Sequence, residues 1–70
     1  MMPLTLANPE EENTIKRIGG KAEVKKHLEN LGFVVGKTVK VISTMGGDVI
    51  VKVNETRVAI SKEMAQKIMV

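Results

Sequence analysis

His27 is the only histidine of the chain, and Glu23 stands four residues before it. On a helix that spacing puts both side chains on one face, where two ligands of a metal ion would sit. It equally gives an ordinary solvent-exposed pair worth a few tenths of a kcal/mol. A divalent ion needs further ligands, and the sequence nominates none at a matching spacing. Glu23 and His27 are therefore an incomplete metal pair, enough for a weak contact with Fe2+ or another divalent ion. The run Glu10-Glu11-Glu12 offers hard oxygen ligands that a cation could use, but a charged loop tip is the preferred reading. Gly19-Gly20-Lys21 looks like the end of a phosphate-binding loop. That motif needs glycine five positions before its last glycine and Ser or Thr after the lysine, where this chain has Ile15 and Ala22. What remains is a flexible strand-to-helix turn. With no cysteine, tyrosine or tryptophan, no nucleophile, base and orienting group fall together, and catalysis is not expected.

The elements that must position these residues follow from periodicity. Leu4 and Leu6 alternate with Thr5, which predicts a short first strand ended by Ala7-Asn8-Pro9. Thr14–Ile18 is a second β-prone segment, closed by Gly19-Gly20. From Lys21 to Leu31 the period changes: Val24, Leu28 and Leu31 fall on one stripe of a helix about 16 Å long. Beyond it, Val39 and Val41, then Val49, Val51 and Val53, then Val58 and Ile60 mark three strands. The turns between them are Met45-Gly46-Gly47-Asp48 and Asn54-Glu55-Thr56, short enough for an antiparallel meander. Ser61 is placed to cap a brief helical turn, and Lys67–Val70 reads as a last strand. A meander in a chain this short curls to remove its edges, so the expected fold is mainly β, a small barrel with one inserted helix.

Seventy residues make one domain, and so short a chain buries only about 60% of its unfolded surface. Eleven basic residues are interleaved with eight acidic ones, for a net charge of +3. Such mixing is what a solvated surface needs and selects no partner. The absence of cysteine fits a reducing cytoplasm, no apolar run is long enough to span a bilayer, and Met1-Met2-Pro3-Leu4 is unlike a signal peptide. A soluble cytoplasmic protein is expected. A small basic barrel that binds nucleic acid is the rival. Such barrels stack bases on aromatic side chains, and Phe33 is the only aromatic here, so no nucleic acid is expected.

The stretch from Leu28 to Gly36 joins helix to meander. Leu31-Gly32 predicts a left-handed helix cap, with Gly36 as a second corner glycine and Phe33 folded back on Leu28. Leu28, Leu31-Gly32-Phe33, Gly36 and the Val39/Val41 strand, with the ending Val58-Ala59-Ile60-Ser61-Lys62-Glu63-Met64-Ala65-Gln66-Lys67-Ile68, resemble the FeoA family of ferrous-iron uptake. The resemblance covers Leu4 to Val70 in order and spacing. It departs at Val35, where many relatives have proline, and at Met45–Asp48, where many have a Pro-rich loop.

That resemblance implies an SH3-like barrel and a non-catalytic cytoplasmic accessory protein without a cofactor. The implied partner is a FeoB-like membrane permease bearing a GTP-binding domain, which the protein would modulate. A similar domain ends iron- or manganese-dependent repressors, so a free-standing metal-regulator module is a related reading. Since no other site offers chemistry, the expected docking face is the helix and corner. Leu28, Leu31 and Phe33 would supply apolar contacts, and Lys25, Lys26 and Glu29 a polar rim.

Overall fold

Valines alternate in this chain where the backbone pleats. In the computed structural model, which describes residues 1–70, the strands are β1 (Glu12–Thr14), β2 (Arg17–Ile18), β3 (Thr38–Met45), β4 (Asp48–Val53), β5 (Thr56–Ser61) and β6 (Ile68–Met69). Two helices, α1 (Ala22–Asn30) and α2 (Lys62–Ala65), interrupt them. An antiparallel sheet in the order β1-β3-β4-β5 faces a two-stranded antiparallel pair, β2-β6. Val39, Val41, Val49, Val51, Val53 and Ile60 all point inward and are buried. The core consists of 15 buried residues, none of them polar. This is the expected mainly β fold with one early helix, and none of its helices is long and apolar enough to cross a membrane.

Both hairpin turns are two-residue links with backbone twist suited to the strands. Gly46, at φ +58°, takes the first position between β3 and β4. Asn54 and Glu55, at φ +51° and +64°, both adopt the left-handed conformation between β4 and β5, as a type I′ turn requires. The β3–β4 register slips between Val41 and Ser43, leaving Ile42 as a bulge. Bulges increase local twist, which helps so small a sheet curl. Ser61 caps α2 as expected, its Oγ accepting from the Met64 amide at 3.2 Å.

Two expected elements differ. Leu4–Leu6 is a 3₁₀ turn, closed by Leu6 N–H to Pro3 C=O at 2.9 Å and Ala7 N–H to Leu4 C=O at 3.0 Å. A strand would have put Leu4 and Leu6 on one face. The three-residue period instead buries Leu4 and Ala7 together and leaves Leu6 68% exposed. The Thr14–Ile18 segment is split, because the chain changes sheets there. Ile15 donates to Lys37 C=O at 2.9 Å, and the next residue, Lys16, donates to Met69 C=O at 2.8 Å. One short segment thus stitches both sheets, with the Ile15 side chain buried at the seam.

Candidate functional site

Helix α1 ends as its sequence dictates. Leu31 is the last residue with helical dihedrals, and Gly32 follows at φ +107°. The Phe33 amide donates to Leu28 C=O and the Gly32 amide to Glu29 C=O, each at 2.9 Å. These are the two bonds of a Schellman cap. Four residues on, a second turn is closed by Lys37 N–H to Val34 C=O at 3.0 Å, with Gly36 at φ +94° in its third position. That is type II turn geometry, and it places Val35 where proline is favoured. The Gly36 amide ties the turn to Ile15 C=O at 2.8 Å, so the corner is bonded to the seam between the sheets.

The side chains divide differently from the expected docking face. Leu28 and Phe33 are both at 0% exposure and belong to the core. The cap explains this: it turns Phe33 back over Leu28, and the ring completes the core beneath α1, so neither residue offers surface to a partner. Leu31 is half-buried, while Lys25, Lys26 and Glu29 are exposed on α1. The apolar groups that the corner does present are Val34 and Val35, at 41% and 58% exposure. The sequence reading places both within the Leu28–Gly36 corner but not in the docking face, although the Val34–Lys37 turn is legible in the Val-Val-Gly pattern.

Glu23 and His27 are both exposed on α1 and form no ion pair with each other. No group of three or more His, Cys, Asp or Glu side chains converges on them or anywhere else. The Glu10–Glu12 run enters the fold through backbone bonding, with the Glu10 amide donating to Val41 C=O at 2.8 Å.

Two clefts of about 400 Å³ each indent the surface. One lies between the 3₁₀ turn, β3, β4 and α2, where Leu4, Leu6, Val41, Thr44 and Val49 face Lys62. The other is wholly polar and lies over β3 and β4, around Glu12, Lys37, Thr38, Lys40, Lys52, Asn54 and Glu55. In neither does a hydroxyl hydrogen-bond a carboxylate or an imidazole.

Comparison with known proteins agrees with this geometry. The family model described as the FeoA domain matches residues 2–70. A relative named putative Fe(2+) transport protein A, from Methanocaldococcus jannaschii, is 34% identical over 70 residues, spanning 100% of this chain and 85% of that protein. The crystal structure of an iron uptake regulatory protein (FeoA) superposes with a TM-score of 0.88 at 29% identity, over 97% of this chain and 90% of the other. The FeoA of Stenotrophomonas maltophilia, solved with zinc and described as an SH3-domain protein, has a TM-score of 0.84 at 21% identity, covering 99% and 88% of the two chains. That last likeness speaks to the fold alone, and the barrel is SH3-like. On the match over almost its whole length, this chain belongs to the FeoA family.

Proposed function

We propose that this chain is a non-catalytic accessory protein of ferrous-iron uptake. In the cytoplasm it docks on a FeoB-like membrane permease that carries a GTP-binding domain, and modulates it. The iron-transport role is supported by family membership and by the name of the 34%-identical relative. In this role the protein needs no cofactor of its own, because iron is the permease's cargo.

The observation that carries the docking face is the pair Val34 and Val35. Two adjacent apolar side chains are held out at a corner that four backbone hydrogen bonds and two positive-φ glycines make rigid. A preorganised apolar tip loses little entropy on binding, and burying a valine gains roughly 1.5–3 kcal/mol. Half-buried Leu31 extends the tip, and Lys25 and Lys26 supply charge on the neighbouring helix face.

The test is capture of the permease's purified cytoplasmic domain by wild type and by Val34→Ser/Val35→Ser, with thermal unfolding of both. Binding should fall at least tenfold with the unfolding midpoint nearly unchanged. Undiminished capture by the double variant would remove the corner as the docking face. Failure of the wild-type chain to bind at all would remove the permease as partner. Glu23→Gln/His27→Gln should bind like wild type. An anaerobic Fe(II) titration that shifts the His27 ring resonances would instead give that pair a metal role.

A further inference from the structure

The solvent face of the large sheet carries charges in an unfavourable arrangement. Lys40 stands directly opposite Lys52 across β3 and β4, and Lys52 directly opposite Arg57 across β4 and β5. Like charges in such positions destabilise a sheet. The chain has eight Asp and Glu residues with which to neutralise this row. The molecule forms one ion pair, Lys52 Nζ to Glu55 at 3.6 Å, and that carboxylate is 92% exposed. Glu12, the cross-strand partner of Lys40, makes no ion pair with it. Lys37 joins Lys40 and Lys52 around the polar cleft of about 400 Å³, whose wall also includes Glu12 and Glu55 and no apolar residue, so its lysines outnumber its carboxylates three to two.

We propose that this cleft is a binding site for an anion carrying two or more linked phosphate groups. Lys40 and Lys52 stand about 5 Å apart on neighbouring strands, and Lys37 lies just before β3, so the cations are spread along the cleft and not gathered at one point. That spread suits a linear, multiply charged anion better than a single phosphate. Lysine ammonium groups bind phosphate as point charges with rotatable donors, and Thr38 and Asn54 add neutral donors in the same cleft. Glu55 gives up Lys52 readily, since an exposed pair at this distance contributes little. The ligand relieves the repulsion between Lys40 and Lys52, which the single exposed pair to Glu55 offsets only in part. With no apolar wall, the cleft grips the phosphates and not whatever they are attached to. The site lies on β3 and β4 and does not use Val34 or Val35, so it stands or falls separately from docking on a permease.

The phosphates could belong to a soluble molecule or to a lipid headgroup, and two probes distinguish the sources. Titration of the intact isotope-labelled chain with inorganic pyrophosphate at low salt should give saturable amide shifts at Thr38–Lys40 and Lys52–Glu55, with Lys25, Lys26 and Lys62 unmoved. Lys40→Gln/Lys52→Gln should bind at least about tenfold more weakly, with two charge-assisted contacts removed. Its thermal midpoint should equal or exceed that of wild type, because the like-charge contact is gone. Sedimentation with vesicles containing cardiolipin, whose headgroup carries two phosphates, forms the second arm. Vesicle binding that the double variant abolishes, without a saturable pyrophosphate response, assigns the phosphates to a lipid. A saturable response without vesicle binding assigns them to a soluble ligand. No saturable binding of either probe, or binding that the double variant leaves intact, overturns the proposal.

Discussion

Gly32→Ala isolates the corner on which both the fold and the proposed docking face depend. Gly32 sits at φ +107°, and a Cβ there would meet Asn54 Nδ2 at 3.0 Å and Val53 Cγ1 at 3.5 Å. The backbone conformation alone costs an alanine about 1–2 kcal/mol. The amide of Asn54 is the end of a side chain that can turn aside, which adds about 0.5 kcal/mol for a less favourable rotamer. The sum is about 1.5–2.5 kcal/mol, or roughly 6–20 °C in Tm for a domain of this size. Total stability of about 3.5–10 kcal/mol leaves the variant folded. Gly36→Ala is the internal control: φ is +94°, but nothing lies within 4 Å of the added Cβ. It should lose only the conformational part, about 1–2 kcal/mol. Asn54→Gly keeps the left-handed turn residue while removing the amide, so a double-mutant cycle with Gly32→Ala should recover a coupling of about 0.5 kcal/mol. Urea unfolding of wild type, the three single variants and the double variant reads all of these terms. A Gly32→Ala loss below about 0.5 kcal/mol, or a Gly36→Ala loss larger than it, would refute the reasoning.

Three further substitutions test local geometry by thermal unfolding. Val35→Pro should stabilise by about 0.4–1 kcal/mol, because Val35 occupies the second position of the Val34–Lys37 turn and its amide donates no backbone hydrogen bond. Lys21→Asp should gain about 1 kcal/mol, since Lys21 is the N-cap of α1 in extended conformation with no side-chain cap bond. Ser61→Ala should lose about 1 kcal/mol with the Met64 amide bond, loosening the short helix that buries Ala65.

The meander was legible because alternation over β3, β4 and β5 assigns each residue to one face, and two-residue turns fix the pairing. Ser61 and Gly32 were legible because capping chemistry restricts residue type. The 3₁₀ turn was not: over three residues, a strand period and a three-residue period cannot be told apart in Leu-Thr-Leu. Nor was the split at Ile15, because which carbonyl a backbone amide finds depends on strands 20 and more residues away. The lysine row was hidden for a related reason. Lys40 and Lys52 are 12 residues apart, and whether they meet depends on turn length and on the bulge at Ile42. Phe33 was assigned correctly to the cap, but full burial of its ring is set by how the core closes over α1.

That burial changes what the corner can do. A docking surface made of Leu28 and Phe33 would have to leave the core empty to act, so any substitution there would register as lost folding before lost binding. Val34 and Val35 carry no such conflict, since they lie one and two residues beyond the buried ring and outside it. Their position depends on the buried residues all the same. The Phe33 amide bonded to Leu28 fixes where the chain leaves the helix, and the Gly36 amide bonded to Ile15 fixes where it rejoins the seam. Between those two points only Val34 and Val35 remain, too few residues to relax independently. Under the proposed docking, the core side chains would act on a partner only through the position they impose on the exposed pair. Stability and the proposed docking share one corner but use different residues of it.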